Sequence, residues 1–315
     1  QQCREYSQSR RSSTEKMTSM LLLDGPLGTE LQRRGADTTL PLWSARALRE
    51  CPDLVLTIHR DYVDCGADVV TTNTFRTNAR AIVRAGLTRH DARELTHTAV
   101  RLAREAAGSG THPLLVAGSD APVEDCYEPG LVPGVDELYM EHREHCEWLM
   151  EEGCDVLLLE TMNTLREAVA AARAANDIGA KYMISMVTNQ AGDRVLGGES
   201  LESVVDALEP FHPSAILTNC SAPQAVLAAT EILAGIRSRR DSEWDFGGYA
   251  NSGNPDPVLG WDLVHTVSIV DFVDSAKRMI DVGAGVIGSC CGTTPDYIRA
   301  IRESSPRVTR SGPAI

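Results

Sequence analysis

The sequence alternates short apolar runs with helical segments eight times between residues 20 and 304, and this alternation limits the folds open to the chain. The predicted strands cover residues 21–25, 68–75, 113–119, 155–161, 181–188, 214–220, 246–250 and 285–287. The predicted helices follow them at residues 52–65, 91–107, 135–152, 165–177, 201–208, 223–236, 262–282 and 295–303. Eight such units without a Pro-, Gly- or Ser-rich linker predict a single-domain α/β fold, the (β/α)8 TIM barrel. An open doubly wound sheet is the alternative, but such sheets rarely hold eight units in this order.

The two ends of the chain differ in composition from this repeating region. Residues 1–19 are polar and rich in Arg and Ser, so we expect a disordered N-terminal extension. Residues 20–304 would form the barrel, and residues 305–315 a C-terminal tail.

Charge and cysteine content exclude several classes of protein. The net charge of −14 argues against nucleic acid as a partner and leaves small molecules, including cations, open. No apolar run approaches the roughly 18 residues needed to cross a bilayer, so we expect no membrane association. Nine cysteines without framework-like spacing fit a reduced compartment, predicted here as the cytoplasm, better than a secreted disulfide fold. The oligomeric state is left open.

Three cysteines lie at the ends of predicted strands. Cys290 and Cys291 follow the eighth strand, and Cys220 ends the sixth. Because all strand carboxyl ends of a barrel face one mouth, these thiols can converge although they are far apart in the chain. Three thiolates on Zn²⁺ would leave one tetrahedral position open, as in catalytic zinc sites. The alternative is that the three side chains only pack as small buried hydrophobic groups.

An open site with three sulfur ligands favours chemistry on a fourth sulfur. A metal-bound thiol loses its proton near neutral pH and becomes a nucleophile, which indicates alkyl transfer to sulfur. Asp24 after the first strand and Glu160 after the fourth could bind the ammonium group of such an acceptor. Capping of the following loop is the alternative for both carboxylates.

An ordered set of motifs resembles the homocysteine S-methyltransferase family, a family of zinc-dependent barrels. The matching segments are DGPLGTEL at 24–31, LWS at 42–44, IHRDY at 58–62, GAD at 66–68, TNTF at 72–75, ET at 160–161, GES at 198–200, NC at 219–220, NSG at 251–253 and GSCCGTTP at 288–295. They extend over residues 21–300, and the cysteine pair with its Gly-Thr-Thr-Pro sequel is the most specific.

The resemblance implies a ligand set and a reaction. Zinc would be bound by the thiolates of Cys220, Cys290 and Cys291. The ammonium and carboxylate ends of homocysteine would be bound by Asp24, Gly25, Thr72 and Glu160. In the family reaction, the thiolate of homocysteine displaces a methyl group from a sulfonium or quaternary ammonium donor, and methionine is the product. The expected partners are therefore homocysteine and an onium methyl donor.

The methyl donor is predicted from fewer residues than the zinc ligands and the homocysteine contacts. Trp43 and Tyr249 could make cation–π contacts with an onium group, and Asn251 lies in a stretch that resembles the S-methylmethionine branch of the family. Arg76 differs from the aromatic residue associated with the betaine branch. The chain is too short to add the folate and cobalamin modules of longer methionine synthases. We therefore predict S-methylmethionine or S-adenosylmethionine, with a betaine donor, or selenocysteine or another thiol as acceptor, as alternatives within the family.

Two other kinds of protein are compatible with these residues. A non-catalytic zinc-binding barrel would have a closed site with a fourth protein ligand, and a redox enzyme would link Cys290 to Cys291, which is a strained pairing. His142, His145 and Cys146 have helical spacing that could suggest a second metal site, but the amphipathic pattern of their segment favours ordinary packing.

Overall fold

A computed structural model describes residues 20–240, 242–256, 260–263 and 266–305. The predicted N-terminal extension at residues 1–19 and nearly all of the predicted tail lie outside these ranges. None of the helices in the described ranges is both long and apolar enough to cross a bilayer.

The strands and helices follow the predicted alternation. The strands are β1 (Leu21–Leu22), β2 (Val69–Thr71), β3 (Leu115–Asp120), β4 (Val156–Met162), β5 (Tyr182–Val187), β6 (Ala215–Asn219), β7 (Asp245–Ala250), β8 (Asn254–Asp256), β9 (Gly260–Asp262) and β10 (Val286–Ser289). The helices are α1 (Leu27–Arg33), α2 (Ala47–Glu50), α3 (Pro52–Asp64), α4 (Ala79–Arg84), α5 (Arg89–Gly108), α6 (Val135–Glu151), α7 (Leu165–Asp177), α8 (Leu201–Leu208), α9 (Pro223–Arg240), α10 (Ile269–Asp281) and α11 (Pro295–Ser304). Short 3-10 turns cover Trp43–Arg46, Pro129–Leu131 and Glu209–Phe211.

Eight of the strands form one parallel barrel. Their order is β1-β10-β7-β6-β5-β4-β3-β2, and a parallel bridge between Leu23 and Val69 joins the two edges. The Asp24 N–H donates to the Val69 carbonyl at 3.1 Å and continues this closure. The predicted (β/α)8 barrel is confirmed, and the open sheet is wrong. Asp24 therefore leaves β1 at the barrel mouth.

The barrel interior and the helix layer form two separate apolar clusters. In β4, Leu158 belongs to the interior cluster, whereas Leu157 and Leu159 pack against the helices. The register of β4 on β5 then shifts between Leu159 and Met162, and Thr161 has a φ of 65°. Such a bulge re-aims side chains at a strand end. Glu160 consequently lies at the end of β4 in the wall of the mouth.

One predicted element is wrong over part of its length. Residues 254–256 and 260–262 pair as the antiparallel hairpin β8–β9, so the helix predicted to begin at residue 262 begins at Ile269. The Ser268 Oγ accepts a hydrogen bond from the Asp271 N–H at 3.2 Å and caps that helix. This hairpin lies after β7 and brings Trp261 to the barrel mouth.

Candidate metal centre and substrate cavity

The carboxyl ends of the strands surround a cavity of about 850 Å³. Residues that follow β1, β2, β3, β6 and β10 contribute to its wall, together with Glu160 and Thr161 near the end of β4. Active sites of (β/α)8 barrels lie at this face, where loops from several strands meet. All three cysteines and all four acceptor residues predicted from the sequence line this one cavity: Cys220, Cys290, Cys291, Asp24, Gly25, Thr72 and Glu160.

Three buried thiols meet in the cavity wall. The Sγ atoms of Cys220 and Cys290 lie 3.2 Å apart, and those of all three cysteines lie within 4.8 Å of one another. Within the described residues, this is the one group whose ligand atoms lie close enough to hold a metal ion. Three sulfur atoms bound to a tetrahedral zinc ion would be about 3.8 Å apart. The donor set and its spacing therefore fit a metal ion bound by sulfur.

Backbone geometry and backbone hydrogen bonds position the turns that carry the three cysteines. The Cys290 N–H donates to the Ala250 carbonyl at 2.8 Å, so the end of β10 stays attached to the end of β7. Cys220 has a φ of 51°, in the left-handed region that is unfavourable for most side chains. Gly292 has a φ of 84°, and a Cβ there would lie 2.7 Å from the Gly253 nitrogen. The turn after Cys291 therefore requires glycine.

The thiol cluster favours negative charge on one sulfur. Side-chain contacts with Cys220 and Cys291 lower the pKa of the Cys290 thiol. The contact with Cys290 raises the pKa of Cys220, and the contacts with Cys220 and Cys290 raise the pKa of Cys291. The Tyr127 hydroxyl, in the loop after β3, donates to the Cys220 carbonyl at 3.2 Å.

Two buried carboxyl groups face the same cavity as the thiols. Burial raises the pKa of Asp24 to about 7, although the Thr71 N–H donates to its Oδ2 atom at 2.9 Å. Burial likewise raises the pKa of Glu160 to about 7, although the Ser119 and Tyr249 hydroxyls donate to its carboxylate. A cation bound between them would favour their ionised forms. These groups are therefore suited to an ammonium ligand.

Hydroxyl groups connect the end of β2 to Glu160. The Thr72 Oγ1 accepts a hydrogen bond from the Ser119 N–H at 3.0 Å and contacts the Thr74 Oγ1 at 2.7 Å. Ser119 in turn donates to Glu160. Gly25 lies against α3, because a Cβ at this position would lie 2.7 Å from the Tyr62 ring. Thr72 and Glu160 are thus connected through Ser119.

Aromatic rings form the remaining wall, and one predicted donor residue lies outside it. Trp43 and Tyr249 both line the cavity, and Trp43 meets the Phe75 ring edge to face at 5.6 Å. Asn251 is buried but is not among the lining residues; its N–H donates to the Ser221 carbonyl at 2.9 Å. Its position links the turn after β7 to the turn that carries Cys220.

Several residues in the wall were not predicted as site residues from the sequence. Ser119 is the last residue of the predicted third strand and the last but one of β3, so the strand-end rule that identified Asp24 and Glu160 would also have identified it. Cys126 and Tyr127 lie in the long loop after β3, where no periodic pattern marks them. Cys126 lines the same cavity as the three clustered thiols.

The two histidines of α6 have a more specific environment than the predicted packing. Both are buried, and their Nδ1 atoms lie 2.7 Å (His142) and 2.8 Å (His145) from the two carboxylate oxygens of Asp120. The ring of His142 also approaches Glu167 at 3.4 Å. This helix face therefore packs through a buried ion pair between β3, α6 and α7, which the predicted amphipathic packing did not include.

Known proteins share this combination of sequence and structure. A family model described as homocysteine S-methyltransferase matches residues 21–305. Homocysteine S-methyltransferase 3 of Arabidopsis thaliana is 32% identical, with 91% of this chain and 90% of the relative covered. Selenocysteine Se-methyltransferase of Brassica oleracea var. italica is 29% identical, with 90% and 88% covered. The metallated crystal structure of the Escherichia coli homocysteine methyltransferase MmuM is similar, with a TM-score of 0.78, 28% identity, and 91% and 96% covered.

Proposed function

The chain belongs to the homocysteine S-methyltransferase family, and from this premise we propose that it transfers a methyl group from a sulfonium donor to homocysteine, giving methionine. The observation that carries the proposal is the presence of three clustered thiols and two buried carboxyl groups in one cavity. The donor would be S-methylmethionine or S-adenosylmethionine. Both substrates are small enough for a cavity of about 850 Å³.

We propose zinc as the ion, held by Cys220, Cys290 and Cys291. Sulfur ligands suit zinc, and the three thiols occupy one side of the cavity wall. A zinc ion held there would leave a position for the acceptor sulfur and would lower the pKa of that thiol towards neutrality.

The other predicted residues would orient the acceptor. Asp24 and Glu160 would bind its ammonium group, and each would gain a positive partner for a carboxylate that burial now disfavours. Thr72 offers a hydroxyl beside them and would bind the carboxylate end of the amino acid together with the backbone at Gly25. The acceptor sulfur would then lie towards the thiol cluster.

The transfer itself is a displacement at carbon. The acceptor thiolate forms a bond to the methyl carbon while the bond from that carbon to the donor sulfur breaks, and the electron pair stays on the donor sulfur as a neutral thioether. Anion and cation thus both disappear, so a cavity that excludes water favours the transition state over the separate ions. Trp43 and Tyr249 would hold the onium group against their ring faces.

The described cysteines support a cytoplasmic location. Cys51, Cys65, Cys126, Cys146, Cys154 and the three clustered cysteines are all free thiols. A free-thiol state is typical of a reducing compartment. We propose that the protein acts there on small-molecule substrates.

The test combines zinc-loaded protein with homocysteine and one methyl-labelled donor at a time. The donors are S-methylmethionine, S-adenosylmethionine and betaine, and labelled methionine is quantified. Turnover with a sulfonium donor, lost in Cys290→Ser, is the expected result. Turnover with betaine alone would overturn the donor assignment.

A second acceptor belongs in the same assay. A relative at 29% identity is named selenocysteine Se-methyltransferase, and selenocysteine carries the same ammonium group that Asp24 and Glu160 would bind. Faster methylation of selenocysteine than of homocysteine would reassign the acceptor. Full zinc occupancy without turnover on either acceptor would favour a non-catalytic zinc barrel.

A further inference from the structure

The cavity holds a single positively charged side chain among its described lining residues. That side chain is Arg76, which follows β2. The same wall contains five carboxyl groups, those of Asp24, Asp37, Asp125, Glu128 and Glu160. A lone guanidinium in an acidic cavity is therefore the one described lining side chain that can pair with a ligand carboxylate.

The guanidinium of Arg76 is held in place by two contacts that leave most of its N–H donors available. Its Nη1 atom donates to the Glu124 carbonyl at 3.1 Å, and its Cζ atom lies 5.5 Å from the centroid of the Phe75 ring. Among the described residues, no carboxylate lies within ion-pair distance of it. A guanidinium has five N–H donors, so most of them stay available to a ligand.

The loop that holds Arg76 also contacts the thiol cluster. Glu124 supplies the carbonyl for Arg76, and three residues later the Tyr127 hydroxyl donates to the Cys220 carbonyl. The Phe75 ring, over which the guanidinium of Arg76 lies, also contacts Trp43, with ring centroids 5.6 Å apart. A cation-binding aromatic surface and a carboxylate-binding guanidinium are thus adjacent in the cavity.

Adjacent sites for an onium group and a carboxylate fit the methyl donor better than the acceptor. On the function proposed above, the acceptor would use its ammonium group at Asp24 and Glu160. We propose that Arg76 binds the carboxylate of the methyl donor, so that the donor is an onium carboxylate rather than a simple alkylated onium ion. The guanidinium would hold the donor's far end while the methyl group faces the acceptor sulfur.

Two donors that differ in a carboxylate test this assignment. They are S-methylmethionine and its decarboxylated analogue, (3-aminopropyl)dimethylsulfonium, each used with homocysteine and zinc-loaded protein. We expect the wild type to prefer S-methylmethionine by at least about tenfold in kcat/KM, since a hydrogen bond to a charged group is involved. In Arg76→Gln the KM for S-methylmethionine should rise by a similar factor, and the analogue should react as before. Arg76→Lys should restore part of the preference.

A stacked arginine outside the cavity provides a matched control. Arg173 lies 4.6 Å from the Tyr139 ring centroid and is not a lining residue, so Arg173→Gln should leave both donors unaffected. Equal losses for both donors in Arg76→Gln would make Arg76 structural and overturn the proposal. A raised KM for homocysteine with both donors would reassign Arg76 to the acceptor and would also overturn it.

Binding measurements separate this proposal from the proposed function. Calorimetric titration of each donor into zinc-loaded wild type and Arg76→Gln reports carboxylate recognition without turnover. Donor binding that depends on Arg76 and on the donor carboxylate would support the assignment of Arg76. If such binding is found but no methionine forms, the proposed function fails while the assignment of Arg76 stands. Equal affinity of the wild type for both donors would overturn the assignment.

Discussion

The Sγ atoms of Cys220 and Cys290 lie 3.2 Å apart, although 70 residues separate them in the chain. Their strands, β6 and β10, both pair with β7, so they are two positions apart in the barrel. Strands two positions apart are separated by about 9.6 Å, so both side chains must turn towards each other. The left-handed backbone at Cys220 and the hydrogen bond from Cys290 to β7 achieve this. The thiol cluster therefore depends on the pairing of β6 and β10 with β7.

Replacing one thiol of the cluster should abolish metal binding. We expect Cys290→Ser to lose its metal and to lower the methyl-transfer rate by more than about 100-fold, since even outer partners of ligands contribute tenfold to 100-fold. Metal content per chain and labelled methionine are the measurements. Cys51→Ser is the matched control, because Cys51 is half-buried and lies outside the cavity. Full metal content in Cys290→Ser would contradict the assignment of this ligand.

Homocysteine should add a sulfur atom to the metal. X-ray absorption at the zinc edge should give three sulfur neighbours in the resting protein and four after homocysteine is added, because the three thiols leave one position open. Homoserine, which has no sulfur, is the control ligand and should leave the count at three. Four sulfur neighbours before addition, unchanged afterwards, would indicate a closed site in which Cys126 is the candidate fourth ligand.

The sequence predicts the cavity residues that lie at strand ends. It does not predict residues that reach the cavity from irregular loops, or contacts between helices and strands that are distant in the chain. Asp24, Glu160 and Cys220 each follow an apolar run, and barrel closure alone brings them together. Cys126 lies in an irregular loop, so only the folded chain places it in the cavity wall.

The histidines of α6 show the same limit. Their spacing predicts a shared helix face for His142 and His145, but not what that face meets. The partner, Asp120, ends β3 one residue beyond the predicted strand, and 22 residues separate it from His142. The hairpin β8–β9 was missed for a similar reason, because its three-residue strands are too short for a periodic pattern.

Removing the charge of Glu160 should change the pH dependence of stability. Burial raises the pKa of Glu160 from 4.5 to about 7, so between these values the folded protein keeps a proton that the unfolded chain has lost. The free energy of unfolding should therefore fall as the pH rises from 4.5 to 7. In metal-free Glu160→Gln we expect this loss, up to about 3 kcal/mol, to disappear.

Urea denaturation at pH 5 and pH 8 measures the effect. Glu105→Gln, at an exposed carboxylate of α5, should keep the wild-type difference between the two pH values. The same Glu160→Gln protein should bind homocysteine more weakly above pH 7, where the wild-type carboxylate is ionised. An unchanged pH slope in Glu160→Gln would refute the assigned cause.

The ion pair behind β3 should stabilise the fold over a defined pH range. Burial lowers the pKa of His142, but the Asp120 carboxylate outweighs this effect and raises that pKa to about 10. The contribution of charged His142 to stability is therefore complete below about pH 6.5 and is lost as the pH rises towards 10. Burial also opposes ionised Asp120, but the two histidines lower the pKa of Asp120 to about 2, so that contribution is complete above pH 3.8 and is lost as the pH falls towards 2. Both contributions are therefore complete between about pH 4 and pH 6.5.

Asp120→Asn should lower the free energy of unfolding by about 3 kcal/mol at pH 6, because it removes the nearer of the two carboxylates beside buried His142 and leaves only Glu167. The deficit should shrink by pH 9, as His142 approaches the pH at which it loses its proton in the folded protein. Arg143→Gln, on the same helix but in an exposed pair with Glu147, should change the stability by less than about 0.5 kcal/mol. Chemical denaturation of the three proteins at both pH values gives these differences. A deficit that is equal at pH 6 and pH 9 would mean that packing, rather than the charge of His142, accounts for the loss.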